Sequence, residues 1–186
     1  MSAKRAVPLG LVLGAVVLTV VLLRAGGDGN PTVARVAGQP ITREQLAAVV
    51  DHFRLEAKGE GKPFPDEDSA AFKRVRNHLL GLLVYRAELR RAAARLGVGV
   101  TRLEVLKRLQ PSGGSEPGEA SRDSFEYGSA ETQLLYERVF AKVTRGITAP
   151  TPAELAARRN GAMARYVSKL KRETQVRYEP GYAPGP

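Results

Sequence analysis

The chain contains neither cysteine nor tryptophan. Without cysteine there are no disulfides, no thiolate metal sites and no cysteine nucleophile, although this absence does not say on which side of a membrane the protein works. Histidine is almost as scarce, with only His52 and His78. Neither has a partner four residues away, so both read as structural residues and not as metal ligands. No Walker or G-x-S-x-G signature occurs, and "GVGVTR" at residues 97–102 lacks the third glycine of a dinucleotide loop and follows a helical pattern. Asp66, Glu67 and Asp68 would suit calcium only with an EF-hand loop, which does not follow; they fit the start of a helix better. These absences argue against an enzyme, and the residues offer no metal or cofactor site.

What the chain has in excess is positive charge. Twenty-nine Lys and Arg against nineteen Asp and Glu give a net charge of +10, which raises nucleic acid as a partner. The distribution speaks against it. Basic residues flank an apolar run or are spread along helical patterns beside acidic ones, and six Tyr and five Phe are too few for stacking platforms. No nucleic-acid partner is expected. An anionic lipid surface or an acidic cell-wall polymer fits the charge at least as well.

"AVPLGLVLGAVVLTVVLL", residues 6–23, is free of charge and lies between Lys4-Arg5 and Arg24. As a helix it would span about 27 Å at ~1.5 Å per residue, close to a hydrocarbon core of ~30 Å. Residues 1–27 therefore read as a single-pass membrane anchor, with Lys4 and Arg5 holding the amino end in the cytoplasm and the body outside. The alternative is a cleaved secretory signal ending near Ala25-Gly26-Gly27. Gly10 and Gly14 form a G-x-x-x-G pair through which two anchors could pack as a homodimer.

The body, residues 28–182, reads as strand, five helices, strand, before a tail at 183–186. A strand at about 32–37 precedes Gly38, and Thr42 with Gln45 forms a capping box for a helix reaching about residue 58. A long helix over about 67–96 carries Phe72, Val75, Leu79, Leu82, Leu89, Ala93 and Leu96 on one broad stripe, so it should be contacted from several sides. Thr101 and Glu104 cap another helix. Residues 111–124 read as a flexible loop, followed by a helix over about 130–144. Thr151, Pro152 and Glu154 open the last helix, which runs to about 174, and "QVRYEP" closes the chain as a strand. The fold class is mainly α, with the two terminal strands forming a small antiparallel pair.

Two residue sets are candidates for contact with partners. Phe53, Phe64, Phe125 and Tyr127 sit in or beside loops, where they would either line a groove for apolar segments or finish the core. Arg158, Arg165, Lys169 and Arg172 fall on one narrow face of the last helix, as a solvated face or as a contact for anionic headgroups and polymers.

The order of elements resembles a known family. "VARVAGQPIT" followed at once by a helix, "HLLGLLVYRAELRRAAARLGVGVTRLEV" and the closing "TQVRYEPGY" are similar to the non-catalytic domain of SurA-like and PrsA-like foldases, of the trigger factor/SurA peptide-binding fold. The similarity covers most of residues 33–182. It implies a chaperone or holdase for unfolded or extended polypeptides; the alternative is a membrane-anchored scaffold for one envelope partner. Two departures stand out. Ala37 occupies the place where the family usually has Asn before Gly. Only residues 145–150 separate the last two helices, where such foldases commonly insert a parvulin-type prolyl isomerase, so isomerase activity is not expected.

Overall fold

Ala37 and Gly38 decide how the body begins. Both hold positive φ, 49° and 88°, the condition for a two-residue hairpin whose twist matches its strands. The computed structural model describes residues 30–110 and 124–183, and in it this turn folds Gln39–Thr42 (β2) back against Thr32–Val36 (β1). Val36 lies opposite Gln39 and Ala34 opposite Ile41. Val176–Tyr178 (β3) pairs antiparallel with the other edge of β1, Val36 opposite Val176 and Ala34 opposite Tyr178. Two further bonds extend that seam, Ala37 N–H to the Gln175 carbonyl at 2.8 Å and Glu179 N–H to the Val33 carbonyl at 3.0 Å.

The sheet thus has three strands in the order β2-β1-β3, where the sequence suggested only the terminal pair. Pro40 hid β2, since proline cannot donate to a ladder. It is tolerated because β2 is an edge strand, where proline also discourages pairing with other chains. The ladder shifts register between Thr32 and Ala34. Strict alternation breaks at that bulge, and adjacent Val33 and Ala34 are both fully buried.

Thr42 closes its capping box with Gln45 and starts Arg43–Gly59 (α1). Ser69 caps Ala70–Arg95 (α2) by accepting from Phe72 N–H at 3.0 Å. The helix thus begins later than its acidic residues suggested: Asp66, Glu67 and Asp68 all precede the cap, and the first turn holds no acid. Glu67 instead pairs with Arg54 of α1 at 2.7 Å. Thr101 and Glu104 form the second capping box, opening Arg102–Leu109 (α3). Phe125–Val143 (α4) starts about five residues earlier than expected because Ser124 is its cap. Thr151 and Pro152 start Pro152–Glu173 (α5) as the sequence indicated.

α2 is the central helix, touching β1, α1, α4 and α5. Leu80 is fully buried in a cluster with Val33, Val36, Ile41, Leu46, Val49 and Val50, which joins the sheet to α1 and α2. Leu89 and Ala93, farther along α2, meet Leu135 and Val139 of α4 and Met163 of α5. A third cluster of Val105, Tyr127 and Ala130 fastens α3 to α4. Among the described residues no helix is long and apolar enough to cross a membrane. The expected anchor at residues 1–27, its Gly10–Gly14 pair and most of the loop at 111–124 lie outside the described residues.

Candidate polypeptide-binding surfaces

Two pairs of phenylalanine rings pack against the first cluster and are together called the aromatic band here. Phe53 of α1 meets Phe125 at the start of α4 edge to face, centroids 5.1 Å apart. His52 stacks on the same Phe125 ring at 4.2 Å and directs Nδ1 to Glu126 Oε1 at 3.1 Å. The α1–α2 connection adds Phe64, 6.3 Å from Phe72 of α2. Edge-to-face and offset contacts suit the ring quadrupoles. All four phenylalanines are half-buried, one side on the core and the other reaching solvent.

Cations border this band. The Arg54 guanidinium lies 5.5 Å from the Phe64 centroid, and that of Arg86 lies 4.8 Å from Phe125. Arg86 is half-buried on α2, and burial pulls its pKa down, with repulsion from Arg90 adding to this and Glu131 opposing it. Gly128 makes room for it: a Cβ there would come within 2.7 Å of Arg86 Nη1. Gly128 precedes the helix start expected at about residue 130, yet it is a packing site inside α4.

The fourth candidate aromatic does not join the band. Tyr127 is 7% exposed and packs with Val105 and Ala130 under α3, so in this conformation it finishes the core. The sequence did not place His52 or Phe72 in the band, although Phe72 stands on the apolar stripe of the long helix and packs against the first cluster.

On α5, Arg158, Arg165, Lys169 and Arg172 are all exposed. Lys169 Nζ lies 3.8 Å from Glu173 Oε1, and Arg158 Nη1 donates to the Thr148 carbonyl at 3.1 Å. Arg158 and Arg165 border a groove of about 530 Å³ with Ile147, Ala157 and Gly161. Lys169 and Arg172 lie farther along the helix, outside it. The sequence pattern marks the arginines but not Ile147 or Gly161, which also line the groove.

A family model for the SurA-like N-terminal domain matches residues 2–126. The chain belongs to the SurA-like N-terminal domain family. Curated proteins provide no match. The matched part of this SurA-like chain carries β1 through α3 and ends on the first residues of α4, so it holds Phe53, Phe64, Phe72 and Phe125. α5 and β3 lie beyond it, yet β3 completes the sheet that the matched part begins. This domain is the non-catalytic, chaperone-type part of such foldases. Here α4 and α5 are joined by residues 144–151, a connection too short to hold a further domain.

Proposed function

We propose that the protein is an exported, membrane-tethered, non-catalytic holdase that keeps unfolded or extended polypeptides from aggregating. The observation that carries this reading is the half-buried aromatic band of Phe53, Phe64, Phe72 and Phe125 in a domain of the SurA-like family. Rings fixed on one side by packing offer apolar area with little side-chain entropy left to lose, and the neighbouring guanidinium groups keep the patch hydrated when empty. Such a surface suits many apolar segments more than one dedicated ligand. The charge-free run at residues 6–23, flanked by Lys4-Arg5 and Arg24, supports the tether. The linker from Arg24 to β1 would hold the body within roughly 30 Å of the membrane.

The test is suppression of aggregation of a chemically unfolded model protein by the purified protein in modest excess, at low and high salt. Hydrophobic capture should persist at high salt and weaken severalfold in Phe53→Ala/Phe125→Ala. No suppression at either salt would sink the holdase reading and favour a scaffold with one envelope partner. The tether is tested by alkaline extraction of membranes, where release of the protein would count against it.

A further inference from the structure

Gly161 is a poor residue for the middle of a 22-residue helix, and nothing in the fold requires it. A Cβ at this position would touch only Arg165 Nη1, at 3.5 Å, an ordinary contact. What its missing side chain does is deepen the groove between α5 and the α4–α5 connection, whose apolar lining comes from Ile147 and Ala157. Arg158 and Arg165, seven residues or about 10.5 Å apart along the helix, stand at this groove. Neither forms an ion pair with an acidic side chain among the described residues, although Glu154 lies one turn before Arg158. The bond to the Thr148 carbonyl holds the Arg158 guanidinium against the connection.

We propose that this groove docks an acidic polypeptide segment, its carboxylates on Arg158 and Arg165 and a small apolar side chain on Ala157 and Gly161. Charge complementarity selects the occupant. A second copy of this strongly basic chain would be repelled here, whereas carboxylates can accept bidentate bonds from both guanidinium groups. The shape selects a polypeptide over a lipid surface. Headgroups would meet the arginines but leave the apolar floor wet, while a chain segment can fill a recess of this size, apolar inside and charged at the edge. The site is separate from the aromatic band, because α5 rests on the Leu89–Val139–Met163 cluster and Phe53 and Phe125 rest on the sheet-side cluster.

The experiment is fluorescence anisotropy of a fluorescein-labelled peptide carrying Glu-Ala-Leu-Glu, and of its Gln-Ala-Leu-Gln counterpart, with the full-length protein. Saturable binding of the glutamate peptide is expected, with about tenfold weaker binding of the glutamine peptide and a similar loss in Arg158→Ala/Arg165→Ala. Gly161→Leu is the decisive variant. It favours the helix, so thermal stability and helical content should hold or rise, yet it should fill the floor and weaken the peptide at least about fivefold. Phe53→Ala/Phe125→Ala should leave this binding intact even while losing aggregation suppression, so failure here and failure of the holdase reading are distinguishable. Equal binding of both peptides, no binding, or binding that survives Gly161→Leu would each overturn the proposal. A preference for phosphatidylglycerol over phosphatidylcholine vesicles that the double arginine variant loses, without peptide binding, would also overturn it and assign the face to lipid headgroups.

Discussion

Ala37 carries a conformational cost that one substitution should relieve. Its φ of 49° places an L-residue with a Cβ in the left-handed region, at a cost of about 1–2 kcal/mol. Asparagine tolerates that region better because its short amide bonds locally, and Asn-Gly is the favoured pair for this type of turn. Ala37→Asn should therefore recover about half of the cost, or about 0.5–1 kcal/mol. In a domain of this size that raises the melting temperature by about 1–4 °C. Ala37→Gly removes the same clash but loosens the unfolded chain, so its gain should be smaller. Ala37→Pro is the opposing control. It would lose the 2.8 Å bond from Ala37 N–H to the Gln175 carbonyl and demand a negative φ, costing about 3 kcal/mol or more. Thermal and urea unfolding of the four proteins would rank Asn above Gly above wild type, with Pro far below. An Asn variant no more stable than wild type, or a harmless Pro variant, would refute the strained-turn account.

Truncation after Thr174 removes β3 and the half-buried Val176, Tyr178 and Tyr182, together with the Arg76–Tyr182 contact at 4.3 Å; the melting temperature should fall by several degrees, and an unchanged value would remove the claim that β3 closes the sheet. Glu88, only 5% exposed on α2, has its carboxyl pKa raised by burial and partly restored by Lys171. The folded chain thus holds that proton to higher pH than the unfolded chain, and stability declines as pH rises from the ordinary carboxylate range through the raised value. Glu88→Gln should accordingly be the more stable protein at neutral pH, with the two stability curves converging in acid; a Gln variant less stable at neutral pH would contradict this. Glu104 is the reverse case, held down to about 2 by the Thr101 N–H, then the Thr101 hydroxyl and Arg138. Its contribution is present above the ordinary carboxylate range and lost as pH falls toward about 2, so Glu104→Gln should speed amide exchange in α3 at neutral pH but not near pH 2.

Helix starts were legible because they depend on a few adjacent residues. Thr42 with Gln45, Thr101 with Glu104 and Thr151 with Pro152 all do what their spacing indicates. Errors came where a local signal answered to a distant partner. Pro40 argues against a strand until β2 is known to be an edge. The helix expected from about residue 130 begins at Phe125 instead, and Gly128 inside it leaves the place of its side chain to Arg86. The acidic trio at 66–68 suggests an earlier start for α2, but the Ser69 hydroxyl, accepting from Phe72 N–H, sets the cap after it. The candidate site divided along the same line. Phe53 and Phe125 could be named but not paired, since their meeting depends on how α1 and α4 cross α2. Tyr127, two positions after Phe125, turns instead toward Val105.

That division follows from a core built as separate clusters along one helix. The first part of α2 gives Leu79, Leu80 and Val84 to the sheet and α1, and its later part gives Leu89 and Ala93 to α4 and α5. A surface on one cluster can then change without repacking the other, because substitutions without shared partners contribute nearly independently. The aromatic band draws its rigidity from the sheet-side cluster, and so from the β1–β3 seam that the Ala37 turn and Gln175 hold together. The α5 groove draws on Met163 and Leu170, the only buried residues of that helix. Loosening the seam should therefore disturb the aromatic rings before it disturbs the α5 groove. β3 is the element through which the two remain coupled, since it follows α5 in the chain and closes the sheet beneath the rings.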